Sequence, residues 1–242
     1  MTTISHHLRL VHDRINAASL AAGRDPSSVR LLAVSKTFGA DAVIEAVQAG
    51  QLAFGENYIA EGIEKIDALR RWQADETART GVAGAMLEWH CIGPIQSNKT
   101  RGVAAHFDWV QSVDRLKIAQ RLSEQRPPEL PPLQVCLQVN IDGGANKSGV
   151  APGDALALAA EVASLPRLVL RGLMAIPEPA IDFVAACALH ACARALFDQI
   201  NASGALAVPM DTLSLGMTAD LEAAIHAGST MVRVGTAIFG GR

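Results

Sequence analysis

Short apolar runs recur along the chain at about 30–35, 52–54, 88–92, 108–112, 133–139, 168–174, 211–214 and 230–234. The first contains "LLAV" at 31–34, with no polar face, which fits an inner strand of a parallel sheet covered on both sides. Helix-period patterns separate the runs, at 41–49, 57–71, 98–105, 114–126, 153–164, 181–202 and 218–227, and "MTTISHHLRLVHDRINAA" opens the chain as an amphipathic helix. Strand and helix alternating in this way predict an α/β fold, a single (β/α)8 TIM-type barrel. Residues 1–28 supply an extra N-terminal helix packed on it. A doubly wound sheet is the alternative that periodicity leaves open. No linker rich in Pro, Gly or Ser divides the chain, and "RPPELPPL" (126–133) reads as a stiff helix-to-strand connection, so residues 1–242 are read as one domain. Only "RWQADETARTGVAGAML" (71–87) breaks the rhythm, as a prolonged helix or a surface excursion.

Composition narrows the function classes. With 242 residues, half of them hydrophobic, the chain has ample material for one core. A formal net charge of −3 and the lack of any lysine or arginine run argue against nucleic-acid binding. No apolar run reaches the roughly 18 residues of a membrane span, and the first residues hold no signal core. A cytoplasmic protein without membrane attachment is expected. The four cysteines show no CxxC spacing, and Cys136 and Cys187 sit in apolar surroundings typical of buried thiols. The histidines lack metal-ligand spacing, so no metal is expected. No dimer seam is evident, and a monomer is expected.

In a barrel, chemistry sits where strands run out at their C-terminal ends. There the chain places Lys36 after the first strand and Glu56, Asn57 and Tyr58 after the second. His90 closes the third, and Asn140, Lys147 and Ser148 follow the fifth. The seventh strand runs into "LSLGMTAD" and the eighth into "VRVGTAIFGG". Ser214, Gly216 and Thr218 in the one, with Arg233, Gly235 and Thr236 in the other, have the makings of an anion cradle. Small residues admit a ligand to backbone N–H groups, and a phosphate held after strands seven and eight recurs in this barrel. Ordinary tight-turn chemistry accounts for either segment alone; both together with an arginine favour phosphate. A phosphate site combined with a strand-one lysine suggests a Schiff-base cofactor, because lysine condenses with an aldehyde. Pyridoxal 5′-phosphate (PLP) carries both groups.

The segments "AVSKT", "FGENY", "WHCIGPIQSNK", "FDWVQSVDRLKIAQRL", "NKSG", "RGLMAIP" and "LSLGMTADLEAAIHAGSTMVRVGTAIFG" resemble, in order, those of the pyridoxal phosphate homeostasis protein family. That family is itself similar to the N-terminal barrel of bacterial alanine racemase and of eukaryotic ornithine decarboxylase. The resemblance implies that Lys36 bears PLP and that Ser214, Gly235 and Thr236 hold its phosphate. It implies that Arg233 lies near ring and phosphate, that Asn57 and His90 line the ring pocket, and that Met217 and Thr218 sit beside the phosphate. Lys147 falls at a second lysine position linked to PLP handling. Three positions depart from the pattern: Phe38 where a basic residue is frequent, Ala60 where Gln is common, and Cys91 where Phe is common.

The resemblance implies a protein of intracellular vitamin B6 homeostasis that holds PLP on Lys36, with PLP-dependent apo-enzymes as partners. No robust catalysis of its own is expected, because a PLP racemase needs a positioned base on each face. In alanine racemases one base comes from a further C-terminal domain, for which the residues after Arg233 leave no room. The alternative is a fold-type III PLP enzyme such as a weak amino-acid racemase.

Overall fold

The computed structural model describes residues 3–144 and 148–241. Its sheet is built from β1 (Arg30–Val34), β2 (Ala53–Glu56), β3 (Glu88–Cys91), β4 (Trp109–Val113), β5 (Leu133–Gln138), β6 (Leu168–Met174), β7 (Thr212–Ser214) and β8 (Met231–Val234). The strands close into a barrel in chain order, and β1 pairs in parallel with β8 as well as with β2. Closure rules out the doubly wound alternative.

Around the barrel run α1 (Ile4–Ala21), α2 (Ala40–Gln48), α3 (Ile59–Thr80), α4 (Thr100–His106), α5 (Leu116–Gln125), α6 (Ala155–Ala163), α7 (Phe183–Ala202) and α8 (Leu221–His226). A last turn, α9 (Thr236–Phe239), follows β8 and has no counterpart in the sequence reading. Most of the 71–87 irregularity is helix: α3 continues to Thr80 and stops at Gly81.

Helix α1 buries Leu8, Val11, Ile15 and Ala18, a three-and-four spacing that places them on one side. Its polar contacts lash it across the seam where β8 meets β1. The Ile4 N–H donates to Glu45 on α2, the Arg14 guanidinium holds Glu222 on α8 at 2.8 Å and the Thr218 carbonyl at 2.9 Å, and His7 Nδ1 donates to the Ile238 carbonyl on α9. Helix α7 is long and apolar enough to cross a membrane by length and composition. Here His190, Ala193, Leu196, Phe197 and Ile200 are buried within the fold, and Arg194 pairs with Asp198 one turn along.

Most outward strand positions are apolar and pack beneath the helices, with Glu56 a polar exception facing α3, whereas the interior is mixed. Leu32, Ala53 and Met231 form one small apolar cluster and Trp109, Cys136 and Met174 another. At the N-terminal mouth, Arg30 pairs with Glu88 at 2.7 Å, and Arg171 grips both carboxylate oxygens of Asp211 while its guanidinium lies 4.9 Å from the centre of the Trp109 ring. These polar groups close that end. The opposite end is open, and the site lies there.

Candidate functional site

Beyond Val34 the chain turns sharply. Ser35 is buried, Lys36 is exposed, and the Phe38 N–H closes the turn on the Ser35 carbonyl at 3.1 Å. Thr37 holds a φ of 69°, which costs a β-branched residue on the order of 1–3 kcal/mol and persists only where neighbours enforce it. The enforcing group is Lys65 on α3. Its Nζ, with the side chain 3% exposed, donates to the Ser35 carbonyl at 2.8 Å, to Glu56 Oε1 at 2.6 Å and to Glu61 Oε1 at 3.1 Å. The same Glu61 oxygen accepts the Thr37 N–H, and the Ser35 hydroxyl donates to Glu56 Oε1 at 2.6 Å. One buried cation therefore fixes both flanks of Lys36. The approach of α3 depends on Gly62, where a Cβ would meet the Phe107 ring at 2.8 Å and the Glu56 Cβ at 3.1 Å.

Burial pushes the Glu56 carboxyl above its ordinary range, against the opposing pull of the Lys65 charge and of hydrogen bonds from Lys65 and Ser35. Its Oε2 is buried without a partner among the described residues. None of Lys65, Glu61 or their link to Glu56 was singled out in the sequence reading. Their one signal was the i,i+4 spacing of Glu61 and Lys65, which any solvated helix face can show.

The second wall comes from the segment after β7. Asp220 Oδ1 accepts the Met217 N–H at 2.7 Å and Oδ2 pairs with His190 Nε2 at 2.9 Å. Burial alone would raise the Asp220 carboxyl, but hydrogen bonds from His190 and Met217 hold it below its ordinary range. The bend leaves the N–H groups of Thr218 and Ala219 without an acceptor among the described residues, and those of Thr236 and Ala237 at the start of α9 are in the same position. Phe38, the departure from the usual basic residue, packs on Phe239 with ring centres 5.3 Å apart.

Between these walls lies a cavity of roughly 890 Å³. Lys36, Asn57, Met217, Thr218, Arg233, Gly235 and Thr236 all line it. Ser148, one of the residues expected after the fifth strand, lines it, and so do Gln138 and Ile176, which the sequence reading did not assign to the site. Of the expected cradle and ring-pocket residues, Gly216, His90 and Ser214 do not. His90 is fully buried inside the barrel, its ring stacked on Trp109 at 5.0 Å, and Ser214 is fully buried with its hydroxyl committed to Gln111 and Arg233. Both belong to inward strand positions beneath the cavity, so proximity to a strand end did not bring them to its wall. Lys147 lies outside the described residues. Of the thiols, Cys91 and Cys136 are buried and each is pushed up to about 12 by burial, whereas Cys187 is only half-buried.

Fold and site together define an alanine racemase-like barrel. A family model described as "Alanine racemase, N-terminal domain" matches residues 10–242. The pyridoxal phosphate homeostasis protein of Pseudomonas aeruginosa is 56% identical over the whole chain and 97% of its own length, and that of Escherichia coli K12 is 52% identical over 98% of its length. PipY of Synechococcus elongatus PCC7942, solved with PLP bound, superposes with a TM-score of 0.77 at 35% identity, covering 98% of this chain and all of its own. A protein of Bifidobacterium adolescentis gives a TM-score of 0.88 at 37% identity, covering 98% of this chain and 94% of its own. Alanine racemase of Corynebacterium glutamicum, 17% identical with a TM-score of 0.62, shares the fold; the match covers 99% of this chain and 61% of that one. The chain belongs to the pyridoxal phosphate homeostasis protein family.

The Lys65 cluster makes a stability prediction. Lys65→Met leaves Glu56 buried without its cation and should cost about 3–5 kcal/mol in urea unfolding. Adding Glu56→Gln should recover part of that loss, because the uncompensated charge is gone. In the single variant Glu56 takes up a proton more readily folded than unfolded. Its deficit against wild type should therefore widen as pH rises past the value Glu56 has in the folded wild type, which lies above the ordinary 4.5. Equal losses in the single and double variants would exclude an ionic role for the pair.

Proposed function

We propose that this protein binds PLP in the cavity at the C-terminal mouth, through a Schiff base to Lys36, and serves PLP homeostasis without robust turnover of its own. The observation that carries this reading is the meeting, in one cavity, of Lys36 with the unpartnered N–H groups of Thr218, Ala219 and Thr236 and the Arg233 guanidinium. Those donors suit a phosphate dianion, and a primary amine at the same cavity suits an aldehyde. When bound, PLP supplies an aldehyde for imine formation and an aromatic ring that draws electrons from it. Lys36 Nζ would hold the group through that aldehyde carbon, with loss of one water. Arg233 supports the anion: burial draws its guanidinium down to about 10, which still leaves it charged at neutral pH.

The names of the relatives support homeostasis over turnover. So does the wall chemistry: among the described lining residues the titratable side chains are Lys36, Tyr58 and Arg233. Exposed Tyr58 on that wall gives the alternative, a weak racemase, its specific motive.

Borohydride reduction of the PLP-loaded protein should place the pyridoxyl mass on the peptide containing Lys36; recovery mainly from another lysine would refute the assignment. Loss of a charged partner of the dianion costs about 1.5–3 kcal/mol and loss of a neutral donor about 0.5–1.5. Arg233→Ala should accordingly weaken PLP binding more than Thr236→Ala, and wild type should retain PLP far better than unphosphorylated pyridoxal. Equal retention would remove the phosphate cradle. Incubated with a panel of amino acids in D2O, the protein should leave Cα–H signals intact over hours by NMR. Rapid exchange that depends on Tyr58 would instead establish the racemase reading.

A further inference from the structure

Below the cavity floor runs an unbroken line of side-chain hydrogen bonds through the barrel. Arg233 Nη1 donates to the Ser214 hydroxyl at 2.7 Å and to the Ser214 carbonyl at 2.6 Å, and Nη2 donates to the Ala175 carbonyl at 2.9 Å. Ser214 Oγ lies 2.7 Å from Gln111 Oε1, Gln111 Nε2 lies 2.9 Å from His90 Nδ1, and His90 Nε2 lies 2.7 Å from Glu88 Oε1. Arg30, at the opposite mouth, donates to that same Glu88 oxygen at 2.7 Å.

The chemistry of the two ends sets the direction of every link. Arginine only donates, so Ser214 accepts from it and passes its single proton to Gln111 Oε1. The Gln111 amide nitrogen then faces His90 and donates, which requires a bare Nδ1 and puts the imidazole proton on Nε2. That proton meets Glu88, which only accepts when ionised. A second contact agrees: Gln111 Nε2 also lies 3.2 Å from Met231 Sδ, an acceptor for its other hydrogen. Reversing the amide would put an oxygen against Nδ1 and demand a doubly protonated ring in a fully buried site, and would leave the Ser214 proton without its acceptor. The charged groups facing His90 are Glu88 on its own strand, Arg30 at the start of β1 and Asp108 just before β4. Burial holds the ring below its ordinary pKa, while the hydrogen bonds of His90 and Arg30, with the Arg30 charge, oppose burial at Glu88 and hold it below its own.

We propose that Gln111, His90 and Glu88 are positioning residues that hold the Arg233 guanidinium in one orientation at the cavity floor, with His90 locked as its Nε2–H tautomer. The inference concerns a group these residues never touch, and its bearing on ligand binding rests on PLP occupying the cavity. A single amide, Gln111, then transmits order from one barrel mouth to the other.

The test has arms that need no PLP. In 15N-labelled protein, His90 should give the pattern of a neutral Nε2–H imidazole at pH 7. In Gln111→Glu, a carboxylate facing both Ser214 and Nδ1 should leave both ring nitrogens protonated at the same pH. The Arg233 Nη signals should be slowly rotating and resolved in wild type and averaged in Gln111→Met, a variant of similar volume. In the loaded protein, Gln111→Met should weaken PLP binding, read by absorbance titration, on the order of tenfold or more, while an exposed control such as Gln96→Ala leaves it unchanged. An Nδ1–H tautomer in wild type would overturn the proposal, as would unchanged Arg233 signals in Gln111→Met. If wild type binds no PLP, the proposed function fails and the nitrogen signals alone decide the positioning role; if PLP binds equally to wild type and Gln111→Met, the proposed function stands and this inference falls.

Discussion

Everything on the Lys36 side of the cavity hangs on one buried ammonium. Lys65 contacts a backbone carbonyl from one flank of the Lys36 turn and two carboxylates, one of which grips the other flank. Isolated ion pairs inside proteins are poor sources of stability, since desolvation offsets most of their attraction. This pair is better understood as a geometric device. A β-branched residue with positive φ would relax without external constraint, and the constraint is delivered through the ions. The ledger of charge explains why Glu56 is carried above its ordinary range and still tolerated: the cost of burying it is offset by a cation that cannot leave without unmaking the turn.

The barrel interior solves a different problem with the same chemistry. Inward positions of a small barrel must be filled by side chains, and apolar filling is the common solution. Here the filling carries Arg30, Glu88, His90, Gln111, Ser214 and Arg233, so each buried polar atom needs a partner of opposite character. Because the line begins at a group that only accepts and ends at one that only donates, its internal members have no freedom to reorient singly. Rigidity arises from hydrogen-bond direction as much as from packing.

Much of this was legible in the sequence. Apolar runs of three to seven residues with helical patterns between them led to the barrel, and residues at strand exits led to most of the polar side chains around the cavity. What escaped was whatever depends on the third dimension alone. Glu61 and Lys65 look like a surface pair on α3, and only the close seating of Gly62 against Phe107 turns them inward. His90 and Ser214 sit near strand exits, yet the pleat sends them beneath the floor. Gln111 left a faint trace as the polar centre of "WVQSV", a strand whose five residues are all buried. A lone amide in such a run has to find partners inside, and that requirement was the signal.

The two faces of the site differ in a way that bears on its use. Floor and turn are held by buried, mutually satisfied groups, whereas the rim exposes Tyr58 at 56%, Met217 at 40% and Ile176 at 39%. Lys36 joins the two: its backbone belongs to the rigid part and its side chain is exposed. A covalent bond to that amine gains from a fixed attachment point, because less conformational freedom is lost in forming it. The amine itself stays open to solvent. Fixed placement and access to solvent are usually opposed, but here they are assigned to different atoms of one residue. A sealed site would have to open before a ligand could enter or leave; this one sets its amine on the solvent side of a turn that buried groups hold in place.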